Sequence, residues 1–249
     1  MRARWPDILA VLAVWAAALW ATLKIFPFPP WHLALIALAM AAQLLPVLEV
    51  RRLGRPIPPA RLWIAIWSLV FFISDIGQIF VAQATGDNLW FFAVMNPIED
   101  AALLMAYSYW QRSPVMRLTF RMAMPLLVAA TLAIALSLDE INNFKSVSSP
   151  FRLLFLTIAV AYTLVSRATA ETGSIWRRDW LWTSFGVILY TAAYVVVDPV
   201  SAALYPTRPD LARFVYVVKA GLDTVAYLLV WKGMRCATEQ PSPSILPLS

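Results

Sequence analysis

Cysteine and histidine are almost missing from this sequence: each occurs once, as Cys236 and His32. A lone cysteine makes no internal disulfide, so the redox character of its compartment is not legible. Zinc and haem sites built from His/Cys clusters are excluded by the same count, and no metal is expected. A Ser-His catalytic pair would have to use His32 as its base. His32 follows Trp31 at the head of an apolar run, which reads as an interfacial position. Glycine is scarce as well, with seven in 249 residues. There is no Walker loop, no GxSG-type serine site and no Gly-x-Gly-Asp protease site, and His-rich desaturase boxes need more histidine than the chain has. No cofactor is expected.

Charge is the third shortage. Only 14% of the residues are charged and 61% are hydrophobic, against about one quarter charged in ordinary soluble domains. Disordered, collagen-like and disulfide-stapled classes are excluded, and an ordinary soluble enzyme does not fit.

Hydrophobic runs fill the space instead. A helix needs about 20 apolar residues to cross the hydrocarbon core. Eight segments reach that length, at 7–26, 31–50, 62–83, 89–110, 122–138, 151–167, 181–203 and 212–232. They are continuously apolar rather than alternating, which argues for helices and against a membrane barrel. The expected fold is therefore all-α, a polytopic membrane bundle of about eight transmembrane helices. The first segment follows Arg2 and Arg4 and, with Ala16-Ala17-Ala18, looks like a signal peptide. It is read as retained, because the loop charges require it. The tail from residue 238, with three prolines and three serines, is expected to be a disordered cytoplasmic extension.

The basic residues set the orientation. Fourteen fall on one side: Arg2, Arg4, Arg51, Arg52, Arg55, Arg61, Arg112, Arg117, Arg121, Arg167, Arg177, Arg178, Lys232 and Arg235. Five fall on the other: Lys24, Lys145, Arg152, Arg208 and Arg213. By the positive-inside rule both termini face the cytoplasm, in a multi-pass protein of the plasma (inner) membrane. The basic loops at 51–61 and 111–121 suit anionic lipid headgroups better than nucleic acid, so membrane lipids are the expected partners. Whether a protein partner or oligomer exists is left open. Trp5, Trp31, Trp63, Trp90, Trp110, Trp180, Trp182 and Trp231 lie at segment ends, as an interfacial aromatic belt.

A shift of 119 residues pairs Pro6 with Pro125, Ala10 with Ala129, Leu35 with Leu154, Ala42 with Ala161 and Leu62-Trp63 with Leu181-Trp182. A shift of 123 pairs Phe91 with Phe214, Val94 with Val217 and Asp100 with Asp223. These matches suggest a 4+4 parallel repeat, with halves at 1–121 and 122–237. Such repeats place a shared site between the halves.

Against this apolar background six ionisable residues lie within the spans: Asp75, Glu99, Asp100, Asp198, Asp223 and Lys219. Each costs at least about 2.5–3.5 kcal/mol to insert, so each needs a partner, a cavity or neutralisation. Asp75 and Gln78 share a helix face. Asn96, Glu99 and Asp100 flank Pro97, which frees a backbone carbonyl. Lys219 and Asp223 are one turn apart, and Lys219 is expected to pair with Asp223 or Asp198. The charges fall on the third, fourth, seventh and eighth spans. One polar cavity between those spans is expected, reached from the outer half of the membrane. Its binding or proton-relay residues would be Glu99, Asp100, Asn96, Gln78, Lys219 and Asp198.

Across residues 62–234 the layout resembles the small membrane-integral terpene cyclases of meroterpenoid and indole-diterpene pathways. The stretch that carries the resemblance is Gly221-Leu222-Asp223-Thr224-Val225-Ala226-Tyr227, followed by Trp231. The family's second acid is a glutamate preceded by tryptophan, and its nearest match here is Asp75 in Ser74-Asp75-Ile76-Gly77. The resemblance implies an acid/base pair of Asp223 and Asp75, with proton donation to an epoxide or alkene. The residues themselves favour a different class. Intramembrane acids with a lysine and a proline-broken span are the parts of proton-coupled carriers. The expected function is transport or binding of a lipophilic or amphipathic small molecule, with the cyclase-like enzyme as the alternative.

Overall fold

The computed structural model describes residues 9, 12–17, 19–20, 29–53, 56–85, 89–137 and 148–236. Among these the chain is an all-α bundle without strands. The helices are α1 (Pro30–Ala42), α2 (Leu44–Val50), α3 (Pro59–Thr85), α4 (Leu89–Trp110), α5 (Pro114–Ser137), α6 (Ser148–Ala168), α7 (Asp179–Leu204) and α8 (Pro209–Arg235), with a short 3-10 turn at Ile175–Arg177. Six helical segments are long and apolar enough to cross a membrane: Pro30–Val50 taken across the α1/α2 junction, α3, α5 over Pro114–Ile134, α6, α7 and α8. They do not include α4, whose middle carries Asn96, Glu99 and Asp100. Most of the expected first span, 7–26, lies outside the described residues, as does the tail from 238. The described part at 12–17 and 19–20 is helical, and Trp15 Nε1 donates to the Ala34 carbonyl at 3.3 Å.

Two boundaries differ from the sequence expectation. The run at 31–50 is one span, Pro30–Val50, divided into α1 and α2 by a single turn residue, Gln43, whose backbone stays right-handed helical. Pro46 has no N–H, and its ring crowds the carbonyl four residues back, at Ala42. The Gln43 carbonyl also accepts the Ser68 hydroxyl of α3. The second difference is at α5, which starts at Pro114 rather than near 122. Proline suits the first helical position, so the expected loop at 111–121 shrinks to its first three residues. Arg121 then lies over the Tyr109 ring at 5.3 Å, and Arg117 donates to the Gln111 carbonyl at 3.4 Å.

The core lies between α3, α4, α6, α7 and α8. α7 and α8 approach to backbone contact. A Cβ on Gly186 would fall 2.5 Å from the Ala226 carbonyl oxygen, and one on Gly233 would meet Thr183 and the Asp179 carbonyl. At the same end Arg61 ties three elements together. It pairs with Asp179 at 3.2 Å and donates to the carbonyls of Met234, at 3.0 Å, and Cys236. Arg61, counted above as a loop charge, is therefore a buried staple of α3, α7 and α8. Glu49 on α2 accepts from Trp231 Nε1 of α8 at 3.0 Å. Two tryptophans of the expected belt, Trp110 and Trp180, are buried in this end of the core instead. Trp110 packs edge-on against Tyr107. Trp31 and Trp90 stay exposed. α5 is the least buried of the six segments. It points Val115, Leu118, Met122, Leu126 and Leu136 outward.

Candidate functional site

The intramembrane acids meet partners from helices that spacing along one helix could not connect. Asp75 is half-buried on α3. Its two carboxylate oxygens accept from Gln43 Nε2 at 2.5 Å and from Gln78 Nε2 at 3.1 Å. Gln78 was expected beside it; Gln43 was not. Gln43 sits at the junction of α1 and α2, and both its carbonyl and its amide reach α3.

On α4, Glu99 and Asp100 are buried. Arg152 of α6 reaches them, with Nη1 at 2.6 Å from Asp100 Oδ1 and 4.0 Å from Glu99 Oε2. The expectation that Lys219 is the only cation among these acids is thereby corrected. Arg152, counted as an outer-side charge, is a buried member of the group. One turn into a helix, its long stem crosses to α4 and carries the guanidinium to the acids. Asn96, one turn before Glu99, is half-buried, and its side chain is not among the bonded partners of these acids.

On α8, Lys219 Nζ donates to Asp223 Oδ2 at 2.6 Å and sits 3.5 Å from the centre of the Tyr194 ring of α7. Asp198 is not the bonded partner of Lys219. It accepts from the Ser149 hydroxyl of α6 at 2.6 Å, nearer the end of α7. The four helices expected around the acids are thus joined by α6 and by the α1/α2 junction.

Aromatic rings fill the space beside these groups. Trp67 stacks on Tyr227 with centroids 5.5 Å apart. Tyr190 packs edge-on against Phe71 at 4.9 Å and lies 4.8 Å from Tyr194. Tyr227 is within electrostatic reach of Asp75, Asp223 and Glu99, and Asp75 within reach of Lys219 and Asp223. Three helices, α3, α7 and α8, therefore present tyrosine, tryptophan and carboxyl groups to one another.

Several buried polar atoms here have no hydrogen-bond partner, among them Asp223 Oδ1, Gln43 Oε1 and the Tyr227 hydroxyl. Native interiors leave few such atoms. A groove of about 450 Å³ lies further along α8, lined by Leu228, Trp231, Lys232, Arg235 and Cys236. It is separate from the acids. No group of three or more potential metal ligands occurs among the described residues.

Two of the missed residues carried signals. Gln43 is a polar residue inside the apolar run at 31–50, three residues before Pro46. Arg152 lies inside the apolar run at 151–167 rather than before it. The aromatic cluster gave none, because its rings come from three distant helices.

Fold and buried polar groups together define a class, an all-α helical bundle with six helices fit to cross a membrane. No family model matches the chain, and neither a curated protein nor a solved structure is significantly similar to it.

Proposed function

We propose that the chain is a multi-spanning membrane protein that binds a lipophilic or amphipathic small molecule at the acid- and tyrosine-lined site and carries it with proton coupling. The supporting observation is the pairing of Lys219 with Asp223 beside Tyr194, with Asp223 Oδ1 and Gln43 Oε1 buried and without a hydrogen-bond donor. Buried ionisable groups are expensive in a membrane and tend to serve ion, proton or substrate paths. Packing alone gives no reason to keep five acids here. In this reading the protein has eight spans, both termini on the cytoplasmic side of the plasma membrane, and lipids as its standing partners. Asp223 and Asp75 exchange protons as the ligand enters and leaves, with Lys219 and Arg152 as their counter-charges.

The test is reconstitution into liposomes with an internal pH dye and a panel of lipophilic substrates. Substrate-dependent proton movement that disappears in Asp223→Asn supports the reading. No flux in the wild type, or flux unchanged in Asp223→Asn, sinks it.

One observation favours a second reading, a terpene-cyclase-like enzyme. The stacked Trp67–Tyr227 pair offers an aromatic face within electrostatic reach of Asp75 and Asp223, of the kind that stabilises a carbocation. Against it, Lys219 holds one Asp223 oxygen and would stand beside the cation. Incubation with prenylated epoxides, analysed for ring-closed isomers, separates the two readings.

A further inference from the structure

Lys219 is buried among groups that hold an ammonium. Its Nζ has a carboxylate oxygen at 2.6 Å and an aromatic ring centre at 3.5 Å. Away from water this combination stabilises a positive charge strongly. The lysine reaches it on a flexible four-carbon stem, which can withdraw without moving α8. We propose that Lys219 is a tethered occupant of a cation site, and that the small molecule taken by the protein is a lipophilic ammonium that displaces it. This rests on the binding function proposed above and narrows its ligand class.

Three further observations carry the inference. The first is the set of acceptors left over. Asp223, 6% exposed, keeps Oδ1 without a hydrogen bond, and Gln43, 3% exposed, keeps Oε1 without one. Gln43 cannot be turned to remove the deficit, because its amide nitrogen already donates to Asp75. With Asp223 ionised against Lys219, both atoms are acceptors, so the group that completes them donates, as an ammonium N–H does. The Tyr227 hydroxyl, on a residue 1% exposed, also lacks a partner and lies within reach of three of the acids.

The second observation is charge. Among the described residues, the cations paired with this group of acids are Lys219, on Asp223, and Arg152, on Asp100 and Glu99. A further cation offsets the excess of carboxyls, and an anion adds to it. The third is the wall. Trp67, Tyr190, Tyr194 and Tyr227 form one contiguous ring cluster, suited to an apolar body attached to the ammonium.

The inference is tested on the purified full-length protein in non-ionic detergent, with three probes of one shape and different charge: adamantylamine, which is protonated at neutral pH, adamantanol and adamantane carboxylate. Saturable binding of the amine is expected, tighter than that of the other two by about tenfold or more. Lys219→Met should tighten the amine further, since the competitor is gone. Asp223→Asn should abolish the preference. Should Asp223→Asn alone fail to fold, the double variant Lys219→Met/Asp223→Asn, which buries neither charge, takes its place. Equal binding of amine and alcohol, with Lys219→Met without effect, overturns the cation site and leaves a lipophile-binding site standing. Absence of saturable binding of all three overturns both.

Discussion

Arg152 is the residue on which the polar interior most depends. It is the buried cation for two buried acids, with Asp100 at 2.6 Å and Glu99 at 4.0 Å. Removing one partner of such a group leaves charge without compensation, at about 3–5 kcal/mol. Arg152→Met should therefore lower the melting temperature in detergent sharply. Adding Asp100→Asn to it should recover part of the loss. Equal melting of wild type and Arg152→Met would mean that the contact does not hold α4 to α6. The same residue marks how far the sequence could be read. Depth and spacing correctly grouped Asp75 with Gln78 and Lys219 with Asp223, because those pairs sit on one helix. Contacts between helices, such as Arg152 to Asp100 or Gln43 to Asp75, depend on packing that no single-helix period encodes. Charge counting also treated every arginine near a span end as solvent-exposed. Arg61 and Arg152 show that a long side chain can turn inward instead.

Among the elements, two devices shape the site. The first is the α1/α2 junction, where Gln43 donates to Asp75 of α3. Gln43→Ala should remove one of the two donors to Asp75 and the unpartnered Oε1, and weaken ligand binding while leaving the protein folded, as read by the adamantylamine titration. The second device is the close approach of α7 and α8 at Gly186, where added atoms meet the Ala226 carbonyl oxygen rather than a movable side chain. Gly186→Leu should cost about 1–3 kcal/mol through overpacking and be seen as a lower melting temperature. A neutral result would mean that the helices are further apart than described. The existence of these helices was legible from apolar runs of sufficient length. Their ends were less so: α5 begins two turns early because proline at position 114 starts a helix in residues whose charge reads as loop.

For the whole molecule, the distribution of basic residues predicts an orientation that labelling can check. Cys236 is the sole native cysteine. Burial pushes its thiol up, and Asp179 adds to this against Arg61 and Lys232. It should react slowly with maleimides, and Cys236→Ser gives a clean background. In that background, Gly173→Cys, between α6 and α7, should label with an impermeant maleimide only from the cytoplasmic side. Thr207→Cys, between α7 and α8, should label only from the outside. The reverse pattern would contradict the orientation.

The scarcity of charge bears most directly on function. If the buried Lys219–Asp223 pair exists to stabilise the bundle, removing it should unfold the protein. If it exists to bind, removing both charges together should cost function and not stability, because well-packed apolar replacements of a buried pair are often neutral or stabilising. The decisive measurement is made on the double variant Lys219→Met/Asp223→Leu, with thermal unfolding and substrate-dependent proton flux in liposomes measured on the same preparation. The account predicts a melting temperature at or above that of the wild type, with flux abolished. A collapsed melting temperature, or a stable variant with undiminished flux, would contradict it.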